Sequence, residues 1–347
     1  MTPSRLSSIL SRFSQTTIAV VGDFFLDKYL EIDPALSEVS LETGLEARQV
    51  VGVRCQPGAA GTIVSNLCAL GVGRVICIGF VGDDGEGCEL VRGLRSMGAE
   101  TNEVVVRTDR FTPTYLKPLV RESDGHLREL ERLDTKNREP LPRDLEDSLL
   151  AAVAGAASEA QAVVALDQVQ EAECGVITSR MREALADLAG HHPKAVWLGD
   201  SRARIAEYRN VTVKSNREEV CAAIHGGSPP HQAAAVGPCA QALARAVGRP
   251  AYVTIGAEGM LYATAEAVEH IPAVRVTGEV DIVGAGDAAA AALAASLSAG
   301  GTPAEAAIIA DLVASITIQQ IGTTGTATQE QVRERFEQYA DVWRNLR

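Results

Sequence analysis

The feature that most narrows the folds open to this chain is an alternation. Short apolar runs recur along it: Thr17-Ile18-Ala19-Val20-Val21-Gly22-Asp23, Arg74-Val75-Ile76-Cys77-Ile78-Gly79, 162–166, 195–199, 211–214 and Ala251-Tyr252-Val253-Thr254-Ile255-Gly256. Runs this short and this apolar suit strands covered on both faces, as in a parallel sheet. Between them lie helical segments: about 57–70 closed by Gly71, Gly85 to about Met97, 143–157, 174–189 and 217–224. Near the end, Thr302-Pro303-Ala304-Glu305 offers a capping residue, a proline at the first helical position and a glutamate three residues after the cap. Those are helix-start signals. Strands alternating with helices predict an α/β fold, a doubly wound three-layer α/β/α arrangement around a mostly parallel sheet.

Two stretches break the rhythm. Residues 27–55 and about 103–133 alternate apolar and polar residues without a long helical period, which predicts exposed antiparallel strands forming a small β-lid. Gly259-Met260-Leu261-Tyr262-Ala263 reads as the return strand of a hairpin, and 225–238 as a loop. The expectation is one domain over 1–347 with the lid inserted in it.

Composition excludes several classes. No apolar run is long enough for a transmembrane helix, and the N-terminus lacks a signal-peptide pattern, so a cytoplasmic protein is expected. The seven cysteines are scattered without a C-x-x-C pair, which suits reduced thiols better than a disulfide framework or zinc site. Acids outnumber bases 45 to 32 and no basic stripe is interleaved with aromatics, so nucleic acid is not an expected partner.

Ligands of such sheets bind beyond the carboxyl ends of the strands, where Asp23, Asp167, Asp200, Gly256 and Asp281 fall. The most informative stretch there is 281–287, D-I-V-G-A-G-D, followed at once by the alanine run 288–292. A helix start leaves N–H groups without intrahelical partners and adds partial positive charge. Gly284, Ala285 and Gly286 would let a phosphate reach that backbone, and Asp287 would stand where an attacking hydroxyl loses its proton. The plain alternative is a glycine turn with solvated acids. The spacing is neither G-x-G-x-x-G nor a P-loop.

Other motifs carry the same double reading. Asp23 and Asp27 could chelate sugar hydroxyls, or one could cap a turn. Pro57-Gly58-Ala59-Ala60-Gly61 opens a helix at which a substrate could approach backbone, or at which helix and sheet pack tightly. Asn216 and Glu219, three apart at a helix start, could organise a hydrated Mg²⁺ or simply form a capping pair. V-T-I-G-A-E-G at 253–259 suits a nucleotide or an ordinary hairpin.

Taken together, G-D-x-x-x-D, P-G-A-A, N-x-x-E, V-T-x-G-x-x-G and G-A-G-D resemble, in this order, the ribokinase-like (PfkB) sugar kinases, from about Ile18 to Gly325. V-V-G-D-x-x-L-D-K-Y, the E-R-L-D at 131–134 and A-G-G-T-P-A-E-A are most similar to the kinase domain of the heptose-phosphate kinase/adenylyltransferases. The resemblance implies an ATP-dependent kinase acting on a hydroxyl of a sugar or sugar-like alcohol. Alternatives are a sugar- or nucleotide-binding relative without activity and a nucleoside kinase. The unpaired strand edges of the lid lead to the expectation of a homodimer formed through it. The resemblance also implies Asp287 as base, Gly284, Ala285 and Gly286 as anion hole, and Asp23, Asp27, Gly58, Ala59 and Thr62 as sugar-side residues. Lys117 and Arg132 could add positive charge there. Asn216, Thr254, Gly256, Gly259 and Asp311 fall on the nucleotide side. Glu219 and Asn216 match the Mg²⁺ pair, and Asp281 a ligand of a monovalent cation, K⁺ by expectation.

The chain departs from the family at Ala59 and Thr62, at Val283, at Gln170 and Glu171, and at Asp311, where an asparagine is usual. Glu38 replaces a basic lid residue. From an ordinary carboxylate pKa, Asp287 is expected to be ionised at neutral pH. From Glu38 and Gln170, a neutral acceptor is expected in preference to a sugar phosphate.

Overall fold

The computed structural model describes residues 1–122, 125–226 and 236–343. Its strands are β1 (Thr17–Gly22), β2 (Phe24–Val39), β3 (Glu46–Ala59), β4 (Arg74–Gly82), β5 (Glu100–Arg107), β6 (Thr114–Arg121), β7 (Leu127–Glu129), β8 (Leu133–Thr135), β9 (Ala162–Asp167), β10 (Val196–Ser201), β11 (Thr212–Asn216), β12 (Ala251–Thr254), β13 (Met260–Ala263) and β14 (Val268–Ile271). The helices are α1 (Pro3–Leu10), α2 (Ala60–Ala69), α3 (Gly85–Ser96), α4 (Arg143–Ala157), α5 (Ser179–His191), α6 (Arg217–His225), α7 (Val236–Val247), α8 (Ala285–Ser298), α9 (Pro303–Thr317) and α10 (Gln329–Tyr339).

Among the described residues the large sheet has nine strands in the order β14-β13-β12-β11-β10-β9-β1-β4-β5. It is parallel from β5 to β12, and β13 and β14 add an antiparallel edge. The strand pleat explains the two cores. Ile18 and Val20, with Val164 and Leu166, face one helical layer built from α1, α2, α3, α8, α9 and α10. Ala19 and Val21, with Val163 and Ala165, face the other, built from α4, α5, α6 and α7. This is the doubly wound α/β/α architecture. The chain leaves β1 towards β4 and β5, then returns to build outward from β9, so its switch point lies beside β1.

The second sheet is smaller, in the order β3-β2-β6-β7 with β8 also paired to β6. Two boundaries differ from expectation. Residues 100–107 form β5, which lies parallel to β4 at the edge of the large sheet. Only β6, β7 and β8 of the 103–133 stretch and its flank join the small sheet. Val104 packs in one core and Val105 against the other, while Asn102, Glu103 and Val106 are exposed, so this edge strand lacks the continuous apolar run of the central strands and reads like part of an excursion. The helix expected from 174 begins instead at Ser179, where the Thr178 side chain caps it by accepting from Met181 N–H at 3.1 Å. Most of the loop expected at 225–238 lies outside the described residues, and α7 has already begun at Val236.

β1 and β2 are almost one strand, separated only by Asp23. The expected capping box of α9 is present, with Thr302 and Glu305 each accepting the other's N–H. Helix α8 fits between α2, α9 and the sheet because its side chains from Ala288 to Ser296 are small, apart from Leu293, and all buried.

At the entry to α2, Ala59 has φ 51 and ψ −118, a conformation that suits glycine. Ala59→Gly relieves the Cβ strain at some cost in unfolded-chain entropy. The expected net gain is about 1 kcal/mol, roughly 2 °C in Tm for a chain of this size. Thermal denaturation checks this; an unchanged or lower Tm would show that the turn is unstrained.

Candidate active site

The site is assembled where the strands end and α8 begins. Gly284 caps α8 with φ 80; a Cβ there would meet Thr324 at 3.1 Å and the Thr62 methyl at 3.2 Å. The Ala285 N–H turns back to Ile282 O at 3.2 Å, and Ala288 N–H donates to Gly284 O. The N–H groups of Gly286 and Asp287 make no hydrogen bond among the described residues. Of the three residues expected to form an anion hole, Gly284, Ala285 and Gly286, only Gly286 therefore has an N–H without a partner and without a place in the turn among the described residues. Ala285 is spent on the turn, while Gly286 and Asp287 offer the open donors.

A residue that the sequence reading missed lies beneath this turn. A Cβ on Gly286 would come within 2.8 Å of Lys214 Nζ. Lys214 is buried in the middle of β11 and pairs with Asp200 Oδ2 at 2.8 Å. Both could have been found: a lysine interrupts the apolar run two residues before Asn216, and Asp200 stands at a strand end. Glu219 faces the same ions, and burial and Asp200 push its carboxyl up against the pull of Lys214.

Asp287 is half-buried on the first turn of α8, and its carboxyl makes no hydrogen bond among the described residues. Burial first, then the charge of Asp200, pushes its pKa up to about 7 against the opposing effect of Lys214 and Arg202. This corrects the expectation of full ionisation at neutral pH, because desolvation penalises the charged form.

Asn216 and Glu219 form a true capping box for α6, Glu219 Oε2 accepting Asn216 N–H at 2.8 Å and Asn216 Oδ1 accepting Glu219 N–H at 2.8 Å. Both the capping and the metal-side readings survive, since Glu219 Oε1 makes no hydrogen bond among the described residues. Among those residues no group of three or more His, Cys, Asp or Glu is arranged around a metal position. A Mg²⁺ held mainly by phosphates and water, with one or two protein oxygens, fits such a donor set. Asp281, expected as a ligand of a monovalent cation, has Oδ1 accepting Val283 N–H and Oδ2 accepting Gly322 N–H, each at 3.0 Å, and so ties two loops together.

A cavity of about 640 Å³ runs from Lys214, Ala285 and Gly286 past Asn216, Thr254, Gly256 and Gly259 to Asp311. It brings together the residues expected on the nucleotide side. Gly259, at φ 108, is also required by the fold: a Cβ there would strike Ile271 O at 2.1 Å.

The sugar-side expectations divide. Asp23 is not an open ligand. It is buried, and its carboxylate accepts N–H groups from Gln168 (2.9 Å), Val169 (3.0 Å) and Val176 (2.7 Å). Burial and Asp167 push its pKa up to about 6 despite those bonds. Asp27 is different. Its Oδ1 has no hydrogen-bond partner among the described residues, Lys117 Nζ standing 3.4 Å away, and its Oδ2 would lie 2.8 Å from any Cβ at Gly58. Its charge is felt at Asp287, so the two carboxyls lie near one another. Lys117 also donates to Tyr29 Oη at 3.2 Å, and the Arg54 guanidinium lies 3.8 Å from the centre of the Tyr29 ring. Arg132 stacks on Tyr115 and is held by Asp134. Ala59 and Thr62 supply the helix entry beneath Gly284; the Thr62 hydroxyl is sealed in and unpartnered among the described residues. Glu38, eleven residues beyond Asp27 on β2, is exposed roughly 30 Å along the strand. At that distance its charge is screened, so Glu38 does not weigh against a charged acceptor beside Asp27.

Comparison with known proteins decides the family. Residues 29–330 match the description "pfkB family carbohydrate kinase". The chain belongs to the PfkB family of carbohydrate kinases. Membership supports an ATP-dependent sugar kinase. The chain is 29% identical over 331 residues to the bifunctional protein HldE of Hyphomonas neptunium, covering 94% of this chain and 65% of that one. It is 30% identical over 334 residues to HldE of Pelobacter propionicus, covering 94% and 64%. It thus spans about 65% of the length of these curated relatives. Ribokinase of Arabidopsis thaliana, solved with ribose and ATP, shares the fold at TM-score 0.68 and 17% identity, covering 93% of this chain and 99% of that one. Phosphofructokinase-2 of Escherichia coli, solved with potassium, does so at TM-score 0.70 and 17% identity, covering 95% and 99%. Among the described residues no helix is long and apolar enough to cross a membrane.

The raised Asp287 has a consequence for stability. Its pKa lies above the unfolded value of about 3.9, so the folded state binds the proton more tightly. The contribution of this group to stability is full below about pH 4 and is lost as pH rises towards about 7. Asp287→Asn, which removes the cost of burying a charge, should be more stable than the parent at pH 8, by at least about 1 kcal/mol, with little difference at pH 4. Denaturant titrations at both pH values measure this; equal stability at pH 8 would contradict the burial of the charge.

Proposed function

We propose that this protein is an ATP-dependent phosphotransferase that phosphorylates a hydroxyl of a sugar or sugar-like alcohol. One juxtaposition carries the reading: unpartnered N–H groups of Gly286 and Asp287 and the unbonded Asp287 carboxyl meet between a nucleotide-sized cavity and Asp27. Asp27 orients the acceptor with Gly58 making room for it, and Lys117 holds Asp27. The acceptor hydroxyl gives its proton to Asp287 as its oxygen attacks the terminal phosphorus. The P–O bond to the nucleoside diphosphate breaks, and the charge on the transferring group is met by Lys214 and the α8 N-terminus. Mg²⁺ near Asn216 and Glu219 would neutralise the phosphates. K⁺ has no assigned part.

A homodimer formed through the small sheet belongs to the same proposal. Leu36, Val39, Leu41, Leu45, Val51 and Val53 are exposed along β2 and β3 and the turn that joins them, as an apolar surface awaiting cover.

Asp287→Asn should still bind nucleotide while losing at least about a hundredfold in kcat, the usual scale of general-base loss. In the parent, log(kcat/KM) should fall with unit slope below about pH 7, because the base must be unprotonated before it accepts the proton. Turnover against a panel of sugars, sugar phosphates and nucleosides tests both, and a variant with near-normal kcat removes Asp287 from the role.

Chelating Mg²⁺ should abolish turnover, and Glu219→Gln should raise the Mg²⁺ concentration needed for half-maximal rate. Full activity in EDTA would refute the phosphotransferase reading.

A further inference from the structure

The far end of the cavity holds a side chain that the reaction does not use. Asp311 lies on α9 seven residues before Ile318, and Ile318 O accepts the N–H of Asp281 just before α8. At 1.5 Å per residue, Asp311 is about 10 Å along α9 from the level of the phosphate end. Val274, Val276, Ala310 and Ala314 line the cavity with it, together with Ser315. A mostly apolar slot at one end and open N–H donors with a lysine at the other match the two ends of a nucleotide, base and phosphates.

Asp311 is the carboxyl that lines the base end. Its Oδ2 accepts Val274 N–H at 2.7 Å, and Oδ1 makes no hydrogen bond among the described residues. Nearby, Arg335 donates to Ser315 O and Oγ and to Gln319, so its guanidinium is already committed. Burial pushes the Asp311 pKa up to about 7, the Val274 bond and Arg335 opposing, so mildly alkaline solution ionises it.

An ionised carboxylate only accepts hydrogen bonds. Adenine offers a donor, its 6-amino group, beside ring nitrogens that are acceptors; guanine carries N–H donors side by side on one edge. A carboxylate meets the second pattern with both oxygens, and sets one oxygen against a lone pair in the first. An amide, which donates and accepts, does the reverse and pairs with adenine.

We propose that Asp311 sets the base preference of the phosphoryl donor, turning the site towards a guanine nucleotide relative to the asparagine alternative. The inference rests on the kinase reading of the same cavity. Its test uses binding, so that neither the acceptor nor turnover needs to be known. Calorimetry at pH 8.5 with Mg²⁺ measures the Kd of ADP and of GDP for the parent chain and for Asp311→Asn. The substitution is nearly isosteric and keeps an oxygen for Val274. The ratio Kd(GDP)/Kd(ADP) should rise by about tenfold or more in Asp311→Asn, a typical worth of one paired base edge. A ratio unchanged within threefold, or one that falls, overturns the assignment. If neither nucleotide binds either protein, the donor-site reading fails and takes this inference with it. Nucleotide binding with an unmoved ratio overturns the inference alone.

Discussion

A buried lysine organises the reactive end of this molecule. Lys214 is held by Asp200 at 2.8 Å beneath the first turn of α8, among Glu219 and Asp287. Three carboxyls in a desolvated space repel one another, and without a cation they would shed charge or draw apart. One ammonium offsets part of that repulsion. The pKa of the Asp287 carboxyl is still raised to about 7 against its pull. Gly286 is part of the same constraint, because a side chain there would occupy the space of the ammonium.

The second organising contact joins the two sheets. Asp23 separates β1 from β2 and gathers three backbone N–H groups from the 168–176 loop. It thereby fixes the small sheet, with Asp27 and Lys117, over the end of the large one. The two aspartates of one motif thus have different surroundings. The first holds the joint, and the second keeps an oxygen without a hydrogen bond among the described residues, beside Lys117.

Much of this was legible in the sequence. Buried strands announced themselves as short apolar runs, and the α9 cap as Thr302-Pro303-Ala304-Glu305. G-A-G-D marked the helix start that faces the cavity. What escaped depended on contacts between distant segments. No local pattern says that Asp23 is saturated by residues about 150 positions later, or that Ala285 spends its N–H on Ile282. The raised pKa of Asp287 depends on Asp200 and on burial, neither of which is visible in seven residues. β5 was misplaced because at the sheet edge its apolar residues shrink to Val104, Val105 and Val106 among polar ones, as in an excursion strand.

The alanine-rich α8 makes the core and the chemistry one mechanical part. From Ala288 to Ala295 its side chains are buried against α2, α9 and the sheet, with Leu293 the only large one. A larger residue at such positions cannot be absorbed by a rotamer change, so the helix must move as a rod. Its leading end carries Asp287 and the open N–H groups. An overpacking change two or three turns away would therefore register first as lost rate, through misplacement of the reacting groups, before it registered as unfolding. In this fold a silent-looking core residue acts as an alignment screw.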